Sequence, residues 1–367
     1  MRKNTVLSVF FLGLAALTFG QKYSNEFLSI GIGARAQGMA GAVTSSVNDA
    51  TAALWNPAGL AFLDIDNGVQ LGAMHHELFA GVGKYDYLGI ATPISNHKRA
   101  LAFSFVRFGI DNIPNTLSLY QEDGTINYDN VKSFSAADYA FFGSYAQKIG
   151  NPATSKLSVG ANAKIVYRNI GTFAHSWGFG ADLGLQYKPN KKWSFALMVK
   201  DITTTFNAWS FTFTEKEKQQ LLLNANDIPI SSVEYTLPQI TFGGSYYKSF
   251  GALGLTTAVD LVMTTDGKRN TLISSNPISI APNIGAELDY KKIVFLRAGT
   301  NSFQQYLDLN KQKQWSSSPA IGLGIKIKRF QFDYALSKLG GGQEQATYSH
   351  IISLLFHIKP QKTARFD

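Results

Sequence analysis

The sequence has no cysteine, few charged residues and no long apolar run after its first twenty residues. Without cysteine, the chain cannot form disulfides, use a thiol nucleophile or bind a metal through thiolates. Only 16% of its residues are charged, whereas soluble domains carry about 25%. A membrane-spanning helix needs about 18 apolar residues in a row, and none occurs beyond Gly20. The chain is therefore apolar for a soluble protein, and it lacks the helices of most membrane proteins.

The first twenty residues have the three parts of a secretory signal peptide. Two basic residues open the segment, residues 6–17 are apolar, and small residues precede Gln21. A membrane anchor is the alternative, but the apolar run is short for a bilayer. We predict a signal peptide at residues 1–20, removed after Gly20, and an exported chain. The absence of cysteine excludes a lipoprotein signal.

The positive charge of the chain does not indicate a nucleic-acid partner. The formal net charge is +9, and removing Arg2 and Lys3 with the signal leaves 9 − 2 = +7. The remaining basic residues are scattered and form no run interleaved with aromatic residues. We interpret them as solvated surface and lumenal groups. An anionic lipopolysaccharide leaflet is a compatible partner.

Strict alternation of apolar and polar residues dominates the sequence after residue 64. Alternation over this length is typical of strands with one apolar and one polar face. The chain is therefore predicted to be all-β. One apolar series comprises Leu157, Val159, Ala161, Ala163, Ile165 and Tyr167. Others are Trp193, Phe195, Leu197 and Val199, then Ile284, Ala286, Leu288 and Tyr290, and Ile321, Leu323, Ile325 and Ile327.

Two architectures can host such strands. A soluble sandwich buries its apolar faces inside, whereas a transmembrane barrel turns them outward against lipid. The export signal, tyrosines near segment ends and several long connections favour the barrel. We predict a fourteen-stranded antiparallel transmembrane β-barrel over residues 65–358. Its strands are expected near 67–75, 79–93, 97–110, 136–149, 155–169, 175–188, 191–206, 238–249, 252–264, 280–290, 292–302, 317–328, 330–338 and 347–358.

Every second connection is predicted to face outward from the cell. The long ones are 111–135, 207–237, 265–279, 303–316 and 339–346, with tighter turns near His76 and Thr172. The remaining connections are mostly short, as expected on the periplasmic side. Counting strictly from the first strand puts some long connections on the same side of the membrane as short turns. One or two strands are therefore expected to be misplaced or missed. Residues 359–367 are predicted to be a flexible periplasmic tail.

The segment before the strands has an unusual composition. Residues 27–64 are rich in glycine and alanine and contain a single cation, Arg35. Asn56-Pro57 interrupts the segment, because proline biases the preceding residue away from the helical region. Small side chains let a backbone approach a wall closely. We therefore predict that residues 21–64 form a hatch packed inside the barrel.

Three short motifs in this segment resemble a known family. Residues 33–36 read Gly-Ala-Arg-Ala, residues 38–39 read Gly-Met, and residues 55–58 read Trp-Asn-Pro-Ala. They resemble the hatch of FadL-like outer-membrane barrels, and more nearly that of the PorV/PorQ family of the type IX secretion system. The residues expected to form the hatch motif are Gly33, Arg35, Gly38, Trp55, Asn56 and Pro57.

The resemblance implies an outer-membrane location in a Gram-negative bacterium and a role in type IX secretion. PorV resembles a shuttle that takes secreted cargo from the translocon to a surface attachment complex. The implied partners are therefore translocon or attachment-complex proteins and secreted cargo. A FadL-like barrel can instead carry hydrophobic small molecules through a lateral opening, and a purely structural barrel is a third possibility. Pro238, Pro319 and Gly243-Gly244 are candidate strand bends for such an opening.

Two predicted outer loops contain candidate partner-binding residues. Large apolar side chains in a loop are typical of a partner-binding or ligand-entry surface. An interfacial aromatic girdle is an equally good interpretation of the aromatic ones. A short helix is expected at 215–224. The candidates are Ile113, Pro114 and Asn115 in the first loop, and Trp209, Phe211 and Phe213 in the second.

No enzymatic motif is present in the sequence. There is no Gly-x-Ser-x-Gly elbow, and the glycines near residue 31 do not match a dinucleotide fingerprint. His75-His76 lacks further ligands at metal-site spacing, so we interpret the pair as solvated loop residues. We expect no catalytic residue, no metal and no cofactor. Inward charges are expected to form a lumenal ladder of Lys164, Arg168, Lys200, Asp260, Glu287 and Asp289.

Overall fold

A computed structural model of the chain describes residues 24–63, 68–95, 97–121, 123–308, 310–338 and 348–359. The predicted signal peptide at 1–20 and nearly all of the predicted tail at 359–367 lie outside the described residues. Both therefore remain predictions. Within the described part, the chain folds as a single antiparallel sheet that closes on itself around the segment from Ser24 to Leu63.

Seventeen strand segments form the sheet, and every neighbouring pair is antiparallel. The last strand pairs with the first, from Val69 opposite Ile358 to Glu77 opposite His350, which closes the barrel. The segments are β1 (Val69–Leu78), β2 (Gly83–Ile94), β3 (Arg99–Asn115), β4 (Lys132–Lys148), β5 (Leu157–Ile170), β6 (Ala174–Tyr187), β7 (Trp193–Lys200), β8 (Thr205–Phe211), β9 (Ser232–Thr236), β10 (Gln239–Phe250), β11 (Leu253–Thr264), β12 (Ile273–Ser274), β13 (Ser279–Tyr290), β14 (Val294–Leu307), β15 (Lys313–Ile327), β16 (Phe330–Lys338) and β17 (Tyr348–Ile358).

These segments build fourteen wall strands, which confirms the predicted fold class. Segments β7 and β8 both pair with β6 and are two halves of one wall strand. Segments β9 and β10 are likewise two halves of the next, because β9 pairs with β8 while β10 pairs with β7. The two-residue β12 only extends the edge of β13. Two wall strands are therefore interrupted side by side.

The connections separate by length at the two ends of the barrel. Every long described connection lies at one end, together with the tight turns 79–82 and 171–173, and the connections at the other end have only two to eight residues. The expected misplaced strand is therefore not found among the described residues. The strands are longer than predicted at the long-loop end, because β3 and β4 continue pairing up to Asn115 opposite Lys132. The predicted loop at 339–346 lies outside the described residues.

The wall is apolar outside, and its inward face is polar on β5 and β6, whereas much of the inward face of β1–β4 is apolar and packs against the hatch. Outward positions of β5 and β6 include Ile165, Phe179 and Leu183, each about two-fifths to one-half exposed. Inward positions such as Asn162, Lys164 and Asp182 are buried although they are polar. This inversion of a soluble protein's pattern confirms the transmembrane barrel and excludes the sandwich. No helix among the described residues is long and apolar enough to cross a membrane.

Four short helices shape the hatch inside the barrel. They are the 3-10 helix Glu26–Ser29, the α-helices Ala34–Gly38 and Ala52–Trp55, and the 3-10 helix Pro57–Phe62. Phe62 lies at the short-turn end, where the amines of Lys148 and Lys188 lie over its ring at 5.4 and 4.4 Å. The hatch therefore runs through the lumen and leads into β1 from the short-turn end.

Two further helices lie in the long connections. A 3-10 turn spans Tyr128–Asn130, and an α-helix spans Glu215–Leu223, close to the predicted 215–224. The α-helix begins at a capping box, in which Thr214 and Glu217 bond to each other's backbone amides.

Candidate functional site

Asn56 is the central residue of the hatch motif. It is fully buried, and its side-chain oxygen accepts a hydrogen bond from the backbone N–H of Ala58 at 3.1 Å. Its amide nitrogen donates to the backbone oxygens of Thr44 and Leu185, at 3.2 and 3.0 Å. Pro57 opens the following 3-10 helix, where its missing N–H costs no hydrogen bond. Asn56 thereby joins two parts of the hatch to strand β6.

The glycines of the motif are required by backbone geometry. Gly33 has a φ of +82°, which side-chain-bearing residues rarely adopt, and it immediately precedes the helix Ala34–Gly38. A Cβ on Gly38 would lie 3.0 Å from the Cα of Gly322 in the wall. The first glycine sets a turn, and the second allows the hatch backbone to touch β15.

Arg35 and the wall form a buried chain of alternating charges. Its guanidinium donates to Glu287 through Nε at 3.0 Å and through Nη2 at 3.2 Å. Glu287 also accepts from Arg297 at 2.6 Å, and Arg297 donates to Asp333 at 2.7 Å. The chain contains two cations and two carboxylates, so its charges balance. Arg35 is therefore the ionic anchor of the hatch.

Strands β6 and β11 hold the hatch by its backbone. Asp260 accepts from the N–H groups of Val43 and Thr44 at 3.0 and 2.9 Å. Gln186 donates to the backbone oxygen of Ser45 at 2.7 Å. Trp55 donates to the backbone oxygen of Ile32 at 2.8 Å, which braces the hatch internally. These bonds give the polar lumenal residues a structural role around the hatch.

A cluster of charges occupies the interruption between β7 and β8. The amine of Lys164 lies 2.7 Å from Asp182 and 2.6 Å from Asp201, which begins the interruption. Asp201 has a φ of +56° and turns its carboxylate inward. In the neighbouring wall strand, Leu237 and Pro238 separate β9 from β10. Pro238 lies at a strand break as predicted, whereas Pro319 and Gly243 lie in continuously paired stretches.

Two cavities adjoin this interruption inside the barrel. A small one of about 60 Å³ is lined by the hatch residues Glu26 and Leu28, by Asp201 and by Pro238. A larger one of about 260 Å³ lies beside Trp55 and extends to β13 and β14. Lys200 lines both, with its amine 5.8 Å from the centre of the Trp55 ring. The lumen above the hatch is therefore a polar vestibule that reaches the interrupted wall.

Arg269 links the start of the hatch to the connection that follows β11. Its guanidinium donates to Glu26 at 2.9 Å and to Asp266 at 2.5 Å. Partial burial alone would raise the pKa of Asp266, but the hydrogen bonds and charge of Arg269 outweigh it and hold that pKa below its usual range. We call the three residues Glu26, Asp266 and Arg269 the latch.

The aromatic candidates of the second predicted loop are not where the sequence placed them. Trp209 and Phe211 belong to β8, and Trp209 is only 7% exposed. The loop prediction was wrong for these two because β8 resumes the wall strand after the interruption at Asp201. Side chains alternate between the two faces of a strand, and Phe206 faces outward. Trp209 and Phe211 therefore face inward, at the mouth of the lumen. Phe213 follows β8 and lies before the helix Glu215–Leu223.

These inward aromatics stack with two others from neighbouring elements. Ring centres are 6.3 Å apart for Trp209–Phe211, 6.4 Å for Phe211–Phe213, 5.8 Å for Phe173–Phe213 and 5.2 Å for Phe134–Phe173. The guanidinium of Arg168 lies 5.0 Å from the Trp209 ring and is bound to Asp138 and Glu234. We call these five residues the mouth stack: Phe134, Phe173, Trp209, Phe211 and Phe213.

The candidates of the first predicted loop also belong to a strand. Ile113, Pro114 and Asn115 end β3 and pair with Phe134, Ser133 and Lys132. The register shifts between Ile110 and Ile113, where Asn112 has a φ of +58°. A bulge therefore lets the strand pair continue past the predicted strand end. These three residues line the outer rim and do not form a free loop.

The histidine pair was also wrongly assigned to a loop. Both residues lie in β1, with His76 fully buried and His75 facing outward. Alternation along a strand sends neighbouring side chains to opposite faces, so the pair cannot act together on one ion. Among the described residues, no group of three His, Cys, Asp or Glu side chains could hold a metal.

Sequence reasoning missed the latch and two members of the mouth stack. Phe134 could have been found from strand parity, because it shares its face with buried Phe142, whereas Phe173 lies in the turn between β5 and β6. No sequence signal indicates that Glu26 meets Arg269, since 243 residues separate them.

Comparison with known proteins identifies the fold. No protein-family profile and no curated protein sequence matches this chain. Among solved structures, a monoaromatic hydrocarbon channel, CymD, matches with a TM-score of 0.57 at 14% identity, covering 90% of this chain and 98% of that one. The toluene transporter TodX of Pseudomonas putida matches with a TM-score of 0.55 at 15% identity, covering 89% and 98%.

A FadL homologue of Pseudomonas aeruginosa matches with a TM-score of 0.50 at 13% identity, covering 87% of this chain and 96% of that one. Likeness at such low identity concerns the fold and not the ligand. The chain thus has the fold of these barrels, a closed fourteen-stranded antiparallel wall around an N-terminal plug.

Proposed function

We propose that this chain is an outer-membrane channel protein that binds and passes hydrophobic small molecules and performs no enzymatic reaction. The observation that carries the proposal is the mouth stack, five aromatic rings in contact with one another at the long-loop end of a plugged lumen. The solved structures with this fold include a monoaromatic hydrocarbon channel and a toluene transporter. The transport function predicted as the alternative therefore has better support than the PorV-like one.

The proposed route starts at the mouth stack and leaves through the interrupted wall. Aromatic rings favour an apolar guest at the mouth, because transfer from water buries its apolar surface. Straight passage downward is closed by the hatch, which is hydrogen-bonded to strands β11 and β6. At Asp201 and Pro238 the strand pairing lapses in two neighbouring wall strands at once. A lateral exit at that position is part of the proposal.

A paired substitution tests the mouth stack. Trp209→Ala with Phe211→Ala removes two inward rings, and we expect uptake of a monoaromatic probe such as toluene to fall by roughly tenfold. The matched control is Phe179→Ala with Phe206→Ala, an outward aromatic pair on β6 and β8 with ring centres 5.9 Å apart. Uptake into cells that express each folded variant is measured. Equal loss in both pairs, or none in either, would contradict the proposal.

A second candidate function is type IX secretion, with protein partners at the outer loops. The observation that favours it is a set of exposed apolar side chains in those loops. Tyr128 is 75% exposed and Ile230 is 80% exposed, and both lie beyond the wall strands. Such residues are typical interface anchors when a partner covers them. Translocon proteins, attachment-complex proteins and secreted cargo are the proposed partners.

The two functions can be separated in one strain. Tyr128→Ser with Ile230→Ser should abolish copurification of secretion components from the native membrane if the second function is correct. Toluene uptake should then be unaffected, because neither residue belongs to the mouth stack. Unchanged copurification together with uptake that depends on Trp209 and Phe211 leaves only the channel function. Lipopolysaccharide is the proposed lipid neighbour in either case.

A further inference from the structure

The outward apolar surface is unusually short on one side of the barrel. On β1 the outward residues Val69, Leu71 and Ala73 are followed by His75 and Glu77. With about 3.3 Å per residue and a tilt of about 40°, the span from Val69 to Ala73 covers about 10 Å of membrane thickness. On β6 the outward residues from Tyr187 to Trp177 are all apolar or aromatic, and the same estimate gives about 25 Å. The wall at β1 therefore covers less than half of the usual apolar band.

Ionisable side chains occupy the missing part of that band. The Nδ1 atom of His75 lies 2.7 Å from Asp86, and Arg107 donates to Asp86 at 3.3 Å. These side chains are 50, 35 and 30% exposed in the order His75, Asp86, Arg107, so they face outward. We call them the outer cluster. Beside it, His350 lies 2.7 Å from the hydroxyl of Tyr334, also on the outward face. Ionisable groups are rare on a lipid-facing wall because hydrocarbon cannot solvate them.

An apolar groove lies next to the outer cluster. Its floor is Ala73, whose neighbours across the sheet are Leu88 and Leu354. Its sides rise at Phe103, Phe105 and Phe141 on one flank and at Phe330 and Phe356 on the other. The groove has a volume of about 590 Å³ and is lined almost wholly by apolar atoms. A small residue between rows of phenylalanine thus makes a concave stripe on a wall that is otherwise convex.

Three occupants could meet this surface. A lipid acyl chain fills the groove but offers nothing to the outer cluster. A second copy of this chain, related by a two-fold axis through the groove, would set groove against groove, and neither copy would supply a ridge. A different membrane protein can supply both an apolar ridge and a polar group at the level of Asp86. The outer cluster carries both signs of charge, which suits a hydrogen-bonding protein side chain better than an anionic lipid phosphate.

We infer that the outward face of β17, β1, β2 and β3 is a lateral docking surface for another membrane-embedded protein. The partner places an apolar ridge in the groove and a hydrogen-bonding side chain against the outer cluster. This contact lies within the membrane, so it is distinct from the outer loops and from the mouth stack. It goes beyond the proposed function and does not depend on it.

Site-specific photocross-linking in the native membrane tests the inference. A photoreactive residue replaces Leu88 at the groove, and the control replaces Leu183 on β6, which is also outward and exposed. We expect a protein adduct at position 88 and none at position 183. The cross-linked peptide, identified by mass spectrometry, should come from a lipid-facing segment of a membrane protein.

Two variants make the test specific. Ala73→Phe fills the groove, and His75→Leu with Asp86→Leu and Arg107→Leu removes the outer cluster. Each should lower adduct yield by roughly tenfold, because the loss of one well-buried interface residue weakens binding by about that factor. Both change only outward residues, and folding is checked by the gel shift between unboiled and boiled samples.

The comparison of positions 88 and 183 needs neither variant, so it tests the docking surface even if a variant fails to fold. Adducts with lipid alone would overturn the inference and show that the groove binds lipid. Adducts with a second copy of this chain would overturn it too and show that the surface forms a homodimer. A peptide from a soluble protein, or equal adducts at positions 88 and 183, would also overturn the inference.

Discussion

At the scale of single residues, the hatch is held by groups whose hydrogen-bonding capacity is nearly used up. Asn56 makes one accepted and two donated hydrogen bonds, and Arg35 makes a two-point contact with Glu287. A buried charge without a partner is costly, so the balance of the chain from Arg35 to Asp333 matters more than any one bond in it.

Glu287→Gln should strongly weaken this anchor. The change leaves Arg35 and Arg297 with only Asp333 to balance them, and breaking a buried pair costs about 3–5 kcal/mol. The free energy of unfolding in urea, followed by the unboiled gel band, measures the loss. Arg35→Gln with Glu287→Gln restores the balance between Arg297 and Asp333, so the double variant should recover much of the stability. If the double variant is as unstable as the sum of the single ones, charge balance is not the cause.

The latch provides a residue-scale prediction about pH. The pKa of Asp266 is lowered in the folded protein, so its contribution to stability is present above its unfolded value of about 3.9. That contribution is lost as pH falls through the lower folded value. A nitroxide label at Ser29→Cys, a unique cysteine in this chain, should therefore stay immobile from pH 8 to about 5 and be released only below about 4. Asp266→Asn should be mobile throughout, and release of the wild-type label near pH 6 would contradict the latch.

At the scale of elements, the hatch packs closely against the wall because glycines of the wall lie where the two meet. A Cβ on Gly160 of β5 would lie 2.3 Å from the backbone nitrogen of Ala58, and one on Gly184 of β6 would lie 2.1 Å from the side-chain oxygen of Asn56. Backbone atoms cannot rotate out of the way as a flexible side chain can. These inward-facing glycines of the wall therefore leave the space that the hatch needs to pack against β5 and β6.

Gly160→Leu should lift the hatch without unfolding the barrel. The added side chain must displace Ala58 and Pro57, so we expect a larger conductance in planar bilayers. Gly143→Leu is the matched control, because a Cβ there has no atom within 4 Å and the residue belongs to the next wall strand. Deletion of residues 29–60 sets the upper limit of the effect. A conductance that rises in neither variant nor deletion would show that the hatch does not close the pore.

At the scale of the whole molecule, closure of the sheet explains its stability in lipid. Every described wall strand pairs with a neighbour on each side, so the sheet closes on itself, and its apolar residues face outward. Pairing lapses near Asp201 and Pro238, and Lys164 binds Asp201 from inside the barrel.

The closed wall predicts heat-modifiable behaviour. Unboiled protein should keep its barrel in dodecyl sulfate and migrate differently from boiled protein, because strand-to-strand bonds resist the detergent until heated. The protein should be recovered with the outer-membrane fraction of a Gram-negative host. Identical migration in both samples, or recovery in the soluble periplasm, would contradict a transmembrane barrel.

The sequence by itself determined the fold class, because a period of two with apolar residues on one face depends only on neighbouring residues. It correctly indicated fourteen wall strands, the helix near 215 and the hatch segment with its Asn56-Pro57 break. It misplaced Trp209, Phe211 and Ile113 in loops, because the continuation of a strand past a bulge or interruption is set by pairing with another strand. Only the tertiary structure joined Glu26 to Arg269, assembled the mouth stack, and placed the outer cluster beside its groove. Those contacts link residues far apart in the chain. They depend on barrel closure and strand register, and no local sequence pattern encodes either.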